Sequence, residues 1–424
     1  MRLKFCLGLL FSWSFCFHLA ADDQLLVVKA AGIFDSTSGK MLSQRQLLIK
    51  NGLVEQIRAE DAAIPENAQV LDYSDAFITP GFIDAHVHLA SGVESHGYGA
   101  LGISLPAATI YSVANAKKTL KAGVTTVRVV GSPGYAGVAL RDAINNGVVA
   151  GPRILTAGIA IGITGGHCSD NNLLPFEAGA VGDGVADGPW AARAMVRQNI
   201  KFGADVIKTC STGGVLSKGT EVGAPQSTVE ELSAIVSEAH SHGRKVASHA
   251  HGATGIKNAI NAGVDSIEHA SFIDAEGIRL AKKNGTALVM DIYVTEYILG
   301  EGEAAGILPE SLEKERKVGR IQRENFRKAH NAGVRIVFGT DAGVYPHGDN
   351  LKQLSRMVDW GMTPAEALQA ATVHAAELLG LVGQVGVFEP GAHADFIVLE
   401  ESPLLNISTV EQPVSVFKSG KLVQ

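Results

Sequence analysis

Six stretches of the chain share one pattern: a helical run, a glycine, then a short apolar run. They are "LKAGVTTVRVV" (120–130), "IKFGADVIKTC" (200–210), "HSHGRKVASHA" (240–250), "INAGVDSIEHA" (260–270), "KKNGTALVMDI" (282–292) and "HNAGVRIVFGT" (330–340). Glycine just past a helix supplies the left-handed residue that ends it. The runs that follow are continuously apolar, as in strands of a parallel sheet buried on both faces. "GFIDAHVHL" (81–89) and "PRILTAGIAI" (152–161) add two strands of the same kind. Helices alternating with eight such strands over about 260 residues predict an α/β fold, a closed (β/α)8 TIM barrel. Ser227-x-x-Glu230 predicts a capping box at one helix start, and Thr363-Pro364-x-Glu366 predicts another with proline in its first turn.

The flanks alternate differently. "LLVVKAAGIFD", "RQLLIKNGLVEQI" and "AQVLDYSDAFITP" precede the barrel, and "ADFIVLE" and "SVFKSGKLV" follow it. These predict a small β-sandwich domain formed from both termini, residues 22–80 and 381–424, with the barrel (81–380) inserted. Two separate caps are the alternative. At the N-terminus, Arg2 and Lys4 precede an apolar run to about Leu19, then Ala20-Ala21. That order reads as a signal peptide over 1–21. The run is short for a spanning helix. The expected product is exported, periplasmic or secreted, with no stable membrane anchor after cleavage.

Composition narrows the partners. The chain is 46% hydrophobic and 19% charged, as a well-cored globular protein is. Losing Arg2 and Lys4 with the signal takes the formal net charge from −7 to −9. An acidic balance without any lysine- or arginine-rich run argues against nucleic acid. Cys6 and Cys16 fall in the signal, which leaves Cys168 and Cys210. One pair is not a disulfide framework, so two buried free thiols are the expectation.

In a parallel barrel, chemistry gathers at the C-terminal strand ends. The first strand ends in His86-Val87-His88, whose spacing puts both imidazoles on one face. Lys208 follows Gly203 by five residues, His249 follows Gly243 by six, His269 follows Gly263 by six and Asp341 follows Gly333 by eight. Each alone has a plain reading: a packed histidine, a helix cap, a snorkelling lysine. Together they converge on one rim, and imidazole with carboxylate suits a metal such as zinc. A lysine ending a buried strand is the odd member, because burial disfavours its ammonium.

The His-x-His after "GFIDA", the fourth-strand lysine, the fifth- and sixth-strand histidines, "GTDAG" and the return "GVFEPGAHADFIVL" resemble the amidohydrolase superfamily over about residues 24–420. "ITGGH" (163–167), "SHAHG" (248–252), "SIEHAS" and "VYPHG" (344–348) resemble its imidazolonepropionase-related branch of metal-dependent dipeptidases and prolidases. The chain is also similar to ochratoxin-hydrolysing amidases. Peptide-cleaving members keep the fourth-strand lysine, and imidazolonepropionase lacks it.

The resemblance implies two Zn2+ ions. His86, His88 and Asp341 would hold one, His249 and His269 the other, and Lys208, carbamylated to N6-carboxylysine, would bridge them. It implies amide hydrolysis of a dipeptide or N-acyl amino acid, releasing the C-terminal amino acid, with Asp341 carrying the proton. His251 is read as polarising the carbonyl, or as lining the pocket. His167 is read as holding the substrate carboxylate, with Ser91 and Arg128 as further contacts. Arg128 also reads as a structural ion-pair partner. Two departures bear on the substrate: Val129 stands where a carboxylate often follows the arginine, and Cys168 replaces a commoner glycine. His347 reads as structural or on the rim, and Tyr293 and Tyr297 as core by default. His96, His240, His242, His330 and His374 carry no signal. The alternatives are a cyclic-amide or lactone hydrolase using the same metals, and a non-catalytic binding protein on the same scaffold. A homo-oligomer is compatible with so large a barrel.

Overall fold

A computed structural model describes residues 24–168 and 172–424, so the expected signal segment lies outside the described residues. Four strands open it: β1 (Leu25–Asp35), β2 (Lys40–Lys50), β3 (Leu53–Ala59) and β4 (Gln69–Pro80). The barrel strands are β5 (Phe82–Val87), β6 (Val124–Val129), β7 (Arg153–Thr156), β8 (Val206–Cys210), β9 (Lys245–Ala250), β10 (Ser266–His269), β11 (Ala287–Val289) and β12 (Ile336–Val337). Three more end the chain: β13 (Phe396–Leu399), β14 (Ser415–Lys418) and β15 (Lys421–Leu422).

Between the barrel strands run α1 (Leu105–Lys121), α2 (Ala136–Asn145), α3 (Pro189–Lys201), α4 (Val229–Ser241), α5 (Ala253–Ala262) and α6 (Ala275–Asn284). Then come α7 (Val294–Gly300), the long α8 (Pro309–Asn331), α9 (Lys352–Asp359), α10 (Pro364–Ala370) and α11 (Val373–Leu379).

The barrel strands pair in parallel as two arcs, β5-β6-β7 and β8-β9-β10-β11-β12. Parallel bridges Val87–Ala342 and Ile161–Thr209 join the arcs into a closed barrel. The glycines ahead of six strands, from Gly123 to Gly333, all take positive φ, as the repeat pattern requires. The second predicted capping box, Thr363 with Glu366, is present. The first sits one residue later than expected, on Thr228 and Glu231. The Ser227 hydroxyl is instead directed to the Cys210 carbonyl, to which it donates (3.1 Å).

The expected β-sandwich domain drawn from both termini is hydrogen-bonded as one continuous seven-stranded sheet, β15-β14-β13-β4-β1-β2-β3. Its own core includes Ile33, Leu47, Ile78, Phe396 and Phe417. The Phe396 and Phe417 rings stack at 4.3 Å. Arg153 of β7 bonds the buried Asp395 beside β13 (2.9 Å), a partly buried tie between sheet and barrel. No helix among the described residues is long and apolar enough to cross a membrane.

Phe396 is fully buried. Phe396→Ala is therefore expected to destabilise the protein by about 3–5 kcal/mol, read as a lower urea midpoint. An unchanged midpoint would show that this sheet does not unfold with the rest.

Candidate active site

All the strand-end residues singled out in the sequence line or approach one cavity of ≈ 570 Å³ at the C-terminal end of the barrel, except Arg128. Asp341 Oδ1 lies 3.3 Å from His86 Nε2 and 3.3 Å from His88 Nε2. His249, His251 and His269 present ring nitrogens within 4.8 Å of one another, and so do ligand atoms of His86, His269 and Asp341. Lys208 reaches the same wall from β8. Burial pulls its amine down to about 8, against the fields of Glu268 and Asp341.

The ring nitrogens facing away from this centre sort the histidines. His86 Nδ1 meets Glu268 Oε2 (2.9 Å), His269 Nδ1 meets Asp291 (2.9 and 3.0 Å), and His88 Nδ1 meets the Gly131 carbonyl (3.2 Å). These partners only accept, so each Nδ1 carries a hydrogen and each Nε2 is the atom turned to the centre, where a neutral ring keeps its lone pair. That is the tautomer a metal needs. His251 and His167 differ. Their Nδ1 atoms meet hydroxyls, Ser271 (2.7 Å) and Ser217 (2.8 Å), which can donate and leave Nε2–H free.

The charges fit a cation. Burial would depress His86, and so would Lys208, yet Asp341 and Glu268 outweigh both and hold it at about 9. Burial would raise Asp341, but His86 and His88 hold it well below the usual carboxylate range. Burial keeps His249 and His251 neutral, the form that ligates. His249 Nε2 is buried with no partner among the described residues, a cost that a bound ion or water removes. His269, Ala270 and Asp341 adopt left-handed backbone (φ 68°, 50° and 57°), so two candidate ligand positions are strained.

Arg128, read from sequence as a substrate contact, does not line the cavity. It is buried, donating to both Glu268 oxygens (2.9 and 3.1 Å), the Ala85 carbonyl and Ser266. Arg128 is thus the structural ion-pair partner, and it pins the carboxylate that orients His86. Ser91 does line the cavity, and His347 Nε2 donates to its carbonyl (3.0 Å), which makes His347 an anchor for that loop. Tyr293 and Tyr297 pack against Tyr345.

His167 packs against His249 with ring centres 4.2 Å apart and planes tilted by 31°. Gly214 makes that possible, because a Cβ there would meet the His167 ring at 2.4 Å. The neighbouring Cys168 corrects the expectation of free thiols: it is joined to Cys210 as a disulfide, with Cα atoms 5.9 Å apart. The distance across the fold, invisible in the sequence, decides this.

Three lining residues escaped the sequence reading, Asp183, Asp291 and Glu315, and a fourth, His96, lines the cavity although the sequence gives it no signal. His96 Nε2 is buried without a partner among the described residues. Asp291 closes "VMDI" at the seventh strand end and Glu268 precedes His269, so both stood at readable positions. Glu315 lies on α8, outside the strand-end pattern.

A model of the amidohydrolase family matches residues 77–423. The chain belongs to the amidohydrolase family. It is a hydrolase acting on amide bonds, of a family whose members bind metals. Ochratoxinase of Aspergillus niger is 32% identical over 434 residues, 95% of this chain and 88% of that protein. A crystal structure of a Xaa-Pro dipeptidase with methionine bound in its active site is 38% identical, with a TM-score of 0.89 over 94% of this chain and 99% of that one. A prolidase complexed with N-methylphosphonate-L-proline is 29% identical, with a TM-score of 0.85 over 95% of this chain and 100% of that one.

Asp291 supports His269 and is itself held by Gln322 Nε2 (2.9 Å). Asp291→Asn is expected to weaken metal retention about 10–100-fold, measured as metal content after graded chelator dialysis, with unchanged circular dichroism. Unaltered retention would reject the supporting role.

Proposed function

We propose that the chain is an exported dinuclear zinc amidohydrolase that releases the C-terminal amino acid from dipeptides or N-acyl amino acids. Lys208 carries this reading. An ammonium among histidines poised to ligate would repel any cation they held. A neutral amine instead adds carbon dioxide and loses a proton, giving a carbamate. The carbamate of N6-carboxylysine is an anion on a long stem, able to serve two metals. The depressed affinity of this amine for its proton favours that addition.

His86, His88 and Asp341 would hold one zinc, His249 and His269 the other, and Lys208 would be shared. When bound, the metals supply Lewis-acid polarisation and a hydrolytic water of lowered pKa. The chain's own groups do the rest. Asp341 accepts a proton from the attacking water and returns it to the nitrogen as the C–N bond breaks, so a neutral amine leaves. With the Ser271 hydroxyl donating to Nδ1, His251 Nε2–H steadies the developing oxyanion. His167 Nε2–H, freed in the same way by Ser217, holds the substrate carboxylate, with Ser91 beside it.

The likeness to a prolidase complex and to a dipeptidase holding methionine supports a leaving group of amino-acid size. Ile103, Val294, Ile298 and Val318 line the cavity and favour apolar side chains. The Cys168–Cys210 disulfide supports an oxidising compartment, in keeping with export.

A library of dipeptides and N-acyl amino acids, assayed with zinc-loaded protein, is expected to show amide cleavage abolished by chelator and restored by zinc. Cleavage of lactones or esters alone would overturn the reading. Lys208→Ala is expected to lose bound metal and turnover together. Full zinc occupancy with normal turnover in that variant would remove the bridge.

A further inference from the structure

Among the lining groups that the amide-hydrolase reading leaves unused is one buried carboxyl. Glu315 is 2% exposed in the cavity wall, and with Thr295, Gly319 and Arg323 it also borders a second, arginine-lined groove along α8. Only one of its oxygens is bonded among the described residues, by the Thr295 hydroxyl at 2.5 Å. Arg323, the cation whose field reaches it, is bonded to the Ile292 carbonyl (2.9 Å) and to Glu296 (3.2 Å).

The position is nonetheless built with care. Gly319, one turn on in α8, leaves room for the pair. A Cβ there would meet Thr295 Cγ2 at 2.3 Å and Glu315 Oε1 at 3.1 Å. A glycine in mid-helix costs about 1 kcal/mol relative to alanine, so the space has a use. The same contact shows that the carboxyl leans towards the Gln322 end of the helix, where Gln322 supports Asp291 and the His269 carbonyl. Apart from Lys208, no lysine or arginine among the described residues lines the cavity.

A dipeptide carries one carboxylate, on its leaving half, and one ammonium, on its acyl half. Histidines are at hand for the first. We propose that Glu315 binds an ammonium on the acyl half of the substrate, and so selects peptides with a free amino group over N-acyl amino acids. This rests on the amide-hydrolase reading and narrows it. Burial pushes this carboxyl up to about 7 in the empty enzyme, and an arriving ammonium favours its anion.

The test uses zinc-loaded wild type and Glu315→Gln with three peptide sets ending in leucine, phenylalanine, methionine or proline: alanyl, N-acetylalanyl and Nα-acetyl-lysyl. Wild type is expected to favour the alanyl over the N-acetylalanyl peptides by about tenfold or more in kcat/KM, and Glu315→Gln to erase about tenfold of that preference. The ratio between substrates is independent of the fraction folded, so a folding defect cannot imitate the result. A loss confined to the Nα-acetyl-lysyl set also supports the assignment and names a side-chain ammonium as its source. Cleavage of all sets with an unchanged ratio overturns the assignment and leaves the hydrolase reading intact. No cleavage of any set by wild type overturns both.

Discussion

Lys208, His249, His251 and His269 are buried in the wall of one cavity, where an unopposed charge costs several kcal/mol. Much of the local architecture answers that constraint. Arg128 opposes Glu268, Glu268 holds His86, and His86 with His88 holds Asp341. On the other side, Gln322 holds Asp291 and Asp291 holds His269. The partners come from β5, β6, β10, α8 and the ends of β11 and β12. The charge balance therefore exists only once the barrel has closed. The left-handed backbone at His269 and Asp341 belongs to the same economy: strain is tolerated where aim matters.

The second level of organisation is the division of the histidines by what their remote nitrogens touch. Carboxylates and a carbonyl behind His86, His88 and His269 fix one tautomer. Hydroxyls behind His167 and His251 permit the other. Chemically identical side chains thereby acquire opposite duties, lone pair inward or hydrogen inward, without any difference in residue type.

The barrel was legible because each βα unit repeats one local pattern, and the rim residues because strand ends fall at fixed offsets from its glycines. What stayed hidden depends on pairing across the fold. Arg128 looked like a contact for substrate because Glu268, its partner, lies 140 residues away and reaches it only through barrel geometry. Glu315 sits on a helix wall, where no periodicity marks it. The capping box slipped by one residue, and Ser227 is engaged instead by a carbonyl from a neighbouring strand end. The two cysteines are 42 residues apart, and spacing alone does not report that their backbones meet.

That bond has a topological effect. It closes the third-strand loop, α3 and β8 into one covalent ring, with His167 next to one end and Lys208 near the other. The segment from Phe176 to Gly182 runs mostly exposed along this ring. A single backbone cut there opens the ring without parting the molecule. The nicked enzyme keeps its size, its lysine-bearing strand and its histidine loop together, and falls into two pieces only when a reductant and a denaturant act in concert.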